Sequence, residues 1–185
     1  MKVCFMNKFF NLKISNLLLP NIVMAAFLIS IIYFFNEKQH MSIQKNKKMV
    51  VTLIEEVWSK GNLQIVDQLI APQYTIRHDP GDPWEGKTFD LATFKERVKM
   101  SRHVFPDQRF YIEDLVGEGN KVAVSWRFTG TQKGNIPGLP ITNKKVNVSG
   151  LTIYYFENGK IIGHWQVVDR LGFLEQLGVK NSRPK

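Results

Sequence analysis

Cysteine is almost missing from this 185-residue chain: its one thiol is Cys4, near the start. With no second cysteine there is no intrachain disulfide, and after residue 4 there is no thiol nucleophile or Cys-based zinc site. Internal repeats and low-complexity tracts are also missing, and Gly and Pro are ordinary in number, so a packed domain rather than a disordered chain is expected. The signature motifs of common chemistries are lacking too. No glycine-rich phosphate loop follows a strand, and there is no HExxH, no His-x-His and no nucleophile elbow. Only four histidines are present. His40 belongs to the leader and His103 reads as the solvated end of a charged helix. His78 shares the stretch "RHDPGDPWEG" with Asp79, Asp82 and Glu85, but Pro80 and Pro83 string these side chains along an extended loop, without the spacing of a metal site.

What is present begins with positive charge, +9 in total. Lys2, Lys8, Lys13 and Lys38 against Glu37 give +3 for residues 1–40, leaving +6 for the remainder. The basic residues are scattered rather than striped with exposed aromatics, and "KNKK" at 45–48 reads as a solvated helix start. A nucleic-acid partner is therefore not expected.

Residues 1–40 form a leader distinct from the domain at 41–185. The run "LLLPNIVMAAFLISIIYFF", 17–35, carries no charge and is just long enough to cross a bilayer as one uninterrupted helix. Three readings stand: an uncleaved single membrane anchor of undecided orientation, a cleaved signal, or a stretch upstream of a true start at Met41, which would leave the protein cytoplasmic. The domain after Met41 is expected to fold without the leader.

Helices come first in that domain and strands after. Met49, Val50, Leu53, Ile54, Val57 and Trp58 recur at helical spacing up to Gly61. "NLQIVDQLI" predicts a second helix with Asn62 as N-cap, "QYTIRHD" a short strand, and 90–103 a third helix turning Leu91, Phe94, Val98 and Met100 inward. Four strands and a last short helix, "RLGFLEQLG", follow. The pattern predicts an α+β fold in which a curved antiparallel sheet wraps around the N-terminal helices.

The last two strands are joined by Asn158-Gly159, the strongest short hairpin signal. A two-residue turn there opposes Glu157 to Lys160 and Thr152 to Trp165. Tyr154, Thr152, Trp165, Val167 and Asp169 would then share one face, and His164 and Gln166 the other. One of these polar sets is expected inside. A buried Asp169 would have its pKa raised toward the range useful for proton transfer, although an aspartate that merely ties strand to helix gives the same sequence. Trp58, Trp126 and Trp165 read as core or pocket wall.

The blocks "VTLIEEVWSKGN", "IRHDPGDPWEG", "FPDQRF" and "GNIPGLPITNKKVNVSGLTIYYFENGKIIGHWQVVDRLGFLEQLG" together resemble the SnoaL-like polyketide cyclases, or ester cyclases, over about residues 46–178. The resemblance implies the cone-shaped α+β barrel shared with ketosteroid isomerase. It implies intramolecular aldol or isomerisation chemistry on a small apolar carbonyl compound without metal or cofactor, with Asp169 as acid and base and His78 assisting. Trp58, Trp126, Tyr154 and Trp165 would form the substrate-binding walls, and a homodimer is expected. Asn143 stands in "PITNKK", where Asn tolerates positive φ. The alternative from another class is a non-catalytic module of the same fold that binds a small apolar ligand. On either reading Asp169 and His78 are expected to face one interior cavity.

Overall fold

The computed structural model describes residues 3–179, with side chains described from Met24 onward. The chain divides into two units between Ser42 and Ile43. Helix α1 spans Val3–Thr52 and continues the predicted helix over 17–35 without a break. From Met24 to Phe35 its large apolar side chains are exposed, except that of Ile31, which is partly buried; those of residues 17–23 lie outside the described side chains. Among the described residues no helix is long and apolar enough to cross a membrane.

In the second unit the helical backbone loosens into a π-helical turn, Leu53–Ser59, which ends at Gly61 with φ +78°. Val50, Leu53, Ile54 and Val57, spaced to share one helix face, are all buried. The second predicted helix shrinks to a 3₁₀ turn at Leu63–Ile65 and one α turn, α2, Val66–Leu69; Asn62 precedes it without making a side-chain cap. Strand β1, Ile70–His78, starts earlier than its sequence suggests. A series of turns leads to β2, Thr88–Asp90, a strand not foreseen, and to α3, Leu91–Val104. The Asp90 side chain caps α3 by accepting from the Thr93 N–H at 2.8 Å. Phe94 and Val98 of α3 are buried as expected, whereas Met100 is exposed.

Four long strands complete the sheet: β3, Arg109–Glu118; β4, Lys121–Thr131; β5, Lys145–Glu157; and β6, Lys160–Val168. Helix α4, Arg170–Leu177, follows. The sheet order is β2-β1-β6-β5-β4-β3. The expectation of an all-antiparallel sheet is corrected at one position: β1 pairs parallel with β6, so the sheet is mixed. The long β2–β5 connection makes this possible, because a parallel pair needs a crossover that no tight turn can supply.

Alternation along β4 and β5 sends Val122, Val124, Trp126 and Phe128, and Val146, Val148, Thr152, Tyr154 and Phe156, to the inner face. There they meet the buried faces of α1 and α3. Asn158 and Gly159 have φ +49° and +73°, the geometry of the predicted two-residue turn, and Asn143 takes φ +57°.

Two β-bulges decide which side chains face inward. On β6, Glu157 pairs with Lys160 and Phe156 with Ile161, but Tyr155 then pairs with Gly163, leaving Ile162 as the extra residue. On β1, Ile76 pairs with His164 but His78 with Trp165, so β1 also gains a residue. The two strands approach closely here, and a Cβ at Gly163 would run into the Thr75 carbonyl oxygen. Gly163→Ala is expected to cost roughly 2–3 kcal/mol by overpacking, read as a lower urea midpoint at unchanged slope.

Candidate functional site

The inner face of the sheet and the helices above it enclose a cavity of about 350 Å³. Its walls are mostly apolar and aromatic: Ile54, Trp58, Trp84, Phe105, Phe110, Trp126, Phe128 and Phe173. Asn135, Ile136 and Pro137 border it from the β4–β5 connection. Polar groups gather where β1 and β6 lie side by side, and Asp79, Asp82, Arg97, His164, Gln166 and Arg170 all contribute.

The β6 bulge explains this set. One extra residue exchanges the faces of every residue beyond it, so Thr152 pairs with Gln166 rather than Trp165. His164, Gln166 and Val168 therefore line the cavity in place of Trp165, Val167 and Asp169. The β1 bulge acts likewise just after Ile76, so that Asp79 borders the cavity and His78 does not.

The expectation that Asp169 and His78 share the interior is thereby corrected. Asp169 is exposed at the N-cap of α4, where its carboxylate accepts from the Gly172 N–H at 2.8 Å. It borders a second depression with Glu113, Arg127 and Leu151, and is not among the residues that line the cavity. His78 is half exposed, stacks on Trp165 with ring centroids 5.0 Å apart, and has its Nδ1 3.2 Å from Glu85. Trp165 thus covers His78 rather than a pocket. Trp58, Trp126 and Tyr154 do line the cavity. Asp169→Asn is expected to leave the melting temperature nearly unchanged, because asparagine caps as well as aspartate, whereas Asp169→Ala should cost about 1 kcal/mol.

Hydrogen bonds fix the polar end in one arrangement. The Trp126 indole N–H can only donate, and it donates to the Thr152 hydroxyl at 2.8 Å. Thr152 must then spend its own proton on Gln166 Oε1, 2.6 Å away. That choice turns the Gln166 amide N–H toward Asp79 Oδ2, at 2.9 Å. Arg170 donates to Asp79 Oδ1 at 2.6 Å, and Arg97 stands 3.7 Å from Oδ2 while bonding Asp82 at 2.5 Å. Asp79 is 1% exposed. Burial alone would raise its pKa, but the His164 ring and the Arg170 guanidinium outweigh it and hold the carboxyl below its ordinary range.

His164 is 3% exposed. Its Nδ1 lies 2.6 Å from the Tyr74 hydroxyl. Its Nε2 has no hydrogen-bond partner, and the nearest carboxylate oxygen, Asp79 Oδ2, is 3.9 Å away. Burial keeps the imidazole below its ordinary pKa against the opposing pull of Asp79, so the ring is neutral at pH 7. Either tautomer preserves the Tyr74 contact, since the phenol can donate to Nδ1 or accept from it. Nε2 is therefore free to hold or to receive a proton, with an anion beside it to stabilise the cation formed.

Both depressed pKa values act in the same direction. Above about 6.5, the ordinary value for histidine, His164 is neutral whether folded or not. As pH falls below that, the unfolded chain takes up a proton that the folded chain resists, and stability declines. Asp79 adds a second decline below 3.8, its ordinary value. Thermal melts should show both losses, and His164→Gln should remove the upper one alone.

Sequence reasoning placed His164 and Gln166 on the opposite strand face, as the candidates should Asp169 and His78 face outward; it weighed Asp79 only as a metal ligand and passed over Arg97 and Arg170. Alternation along "TIRHDP" favours His78 over its neighbour unless the bulge is known. Among the described residues no three His, Cys, Asp or Glu side chains converge as a metal site would require.

Comparison with known proteins agrees with this architecture. The family model of the SnoaL-like polyketide cyclases matches residues 48–177. Among solved structures, a proposed polyketide cyclase from Acidithiobacillus ferrooxidans is 49% identical, with a TM-score of 0.68 over 72% of this chain and 94% of that one. IdmH, a proposed polyketide cyclase from Streptomyces antibioticus, is 28% identical, with a TM-score of 0.61 over 72% of this chain and 99% of its own. TsrD from Streptomyces laurentii, at 24% identity and a TM-score of 0.63, shares the fold over 76% of this chain and 97% of its own. No curated protein matches the chain. A family match across most of the domain and a 49%-identical structure lead to one conclusion: the chain belongs to the SnoaL-like polyketide cyclase family.

Proposed function

We propose that the domain is a cofactor-independent acid/base enzyme acting on a small, largely apolar carbonyl compound, by intramolecular aldol or isomerisation chemistry. The observation that supports this reading best is the unbonded His164 Nε2 at the polar end of an aromatic-walled cavity. An apolar pocket with few convergent polar groups suits such a ligand. A neutral imidazole with a depressed pKa is a base available at pH 7.

In this reaction Nε2 removes a proton from a carbon next to the substrate carbonyl. The C–H electron pair becomes the enolate C=C bond, and the carbonyl π pair moves to oxygen. The enolate carbon then bonds to a second carbonyl carbon of the same molecule, or is reprotonated elsewhere. The Nε2 proton returns to the oxygen or carbon that ends with the negative charge, so product and substrate are isomers. Asp79 faces the imidazolium formed midway and favours it; Gln166 and Arg170 keep that carboxylate in place.

Deuterium exchange at the α-carbon of 1-tetralone, a bicyclic aryl ketone, tests the step without knowledge of the natural substrate. The full chain is expected to accelerate exchange, and His164→Gln to remove the acceleration while 1-tetralone still binds. Binding without exchange in the native protein would favour a ligand-binding module instead.

A further inference from the structure

Nearly every polar group along the cavity is already engaged. Tyr74 bonds His164, Thr152 bonds Trp126 and Gln166, Ser101 bonds Gln108, and Arg97 bonds Asp82. Asn135 is exposed at the border. Among the described residues the indole N–H groups of Trp58 and Trp84, which are only partly buried, make no hydrogen bond; the one fully interior group left unspent besides His164 Nε2 is the hydroxyl of Tyr154. Its residue is 6% exposed and lines the cavity, and among the described residues its oxygen forms no hydrogen bond. A buried phenol usually finds a partner, so a free one facing a cavity points to a partner that arrives with the ligand.

The two buried, unspent groups are neighbours. Tyr154 pairs with His164 across β5 and β6, with ring centroids 6.2 Å apart and planes at 59°. A carbonyl oxygen and the carbon beside it are adjacent atoms in a substrate, and they call for a proton donor and a base at such a spacing. We propose that Tyr154 is the substrate-orienting and enolate-stabilising donor, its hydroxyl bonding the carbonyl oxygen whose neighbouring carbon is deprotonated by His164. This rests on the acid/base reading above and makes its substrate a ketone or ester with at least one α-hydrogen. The hydroxyl remains protonated at physiological pH, since burial pushes its pKa well up, with Asp79 adding to the rise and Arg97 opposing it. Tyr154 thus acts as donor throughout: as negative charge grows on the substrate oxygen its bond shortens and strengthens, and no proton need leave it.

Tyr154→Phe in the full chain, probed with 1-tetralone and with tetralin, its analogue lacking the carbonyl, tests the assignment. The native protein should bind 1-tetralone more tightly than tetralin. The variant should lose five- to tenfold of that preference by losing one hydrogen bond, and bind tetralin as before. Its exchange rate on bound 1-tetralone should fall about 10²-fold, the usual cost of losing one such donor. Its melting temperature should not drop, because the hydroxyl has no partner to abandon. An unchanged preference for 1-tetralone in the variant would overturn the assignment, as would a large drop in melting temperature, which would reveal a structural bond. A native protein that prefers 1-tetralone through Tyr154 yet exchanges nothing would support carbonyl recognition and sink the acid/base reading. Failure of the native protein to bind either probe would overturn both.

Discussion

Asp79→Ala is expected to be the most destabilising single substitution in the site, costing about 3 kcal/mol. Asp79 is almost fully buried and meets Arg170, Gln166 and Arg97. Removing one partner of a buried ion pair leaves the other charge uncompensated, at a cost of about 3–5 kcal/mol. The low end applies because the Arg170 side chain is 41% exposed and regains solvent, while Arg97 keeps Asp82. Denaturant unfolding should show the loss at pH 7. Because the contribution of Asp79 disappears as pH falls below its ordinary range, the gap between variant and native protein should narrow near pH 3.

His164→Gln is expected to have the largest effect on activity, lowering catalysed exchange or turnover by about 10²–10⁴-fold, the usual contribution of a positioned acid/base. Its fold should survive, since glutamine can still meet the Tyr74 hydroxyl and no bond to Nε2 is lost. The contrast with Asp169→Asn carries the argument. If Asp169 were the acid and base, the isosteric amide would abolish turnover and His164→Gln would spare it. The cavity geometry predicts the reverse, because Asp169 caps α4 on the exposed side of the domain.

The family blocks, the helix face from Val50 to Val57, the Asn158-Gly159 hairpin and the aromatic walls Trp58, Trp126 and Tyr154 were all legible in the chain. Periodicity and turn chemistry are local, and these features depend on little else. The parallel pairing of β1 with β6 was not legible, because nothing in the alternation of "IAPQYTIRH" states which strand will be the neighbour. The two bulges were also hidden. Ile162 carries no mark as the unpaired residue, and only the close approach of Thr75 to Gly163 shows why glycine stands beside it. Since side chains alternate with a period of two, one extra residue gave the cavity His164 and Gln166 in place of Trp165 and Asp169, and another gave it Asp79 in place of His78. Strands β1 and β6 were read from the chain, and on each the residues that line the cavity lie one position along from those expected.

The central claim is that a small carbonyl compound enters the aromatic cavity and meets His164. Histidine-selective ¹⁵N labelling of the full chain, with ring ¹⁵N shifts recorded during titration with 1-tetralone, tests it most directly. The account predicts a saturable shift at His164 Nε2, identified by its loss in His164→Gln, with little change at His78, which stacks on Trp165 outside the cavity. A saturable shift at His78 with His164 unmoved would contradict it and return the site to the opposite face of the strand.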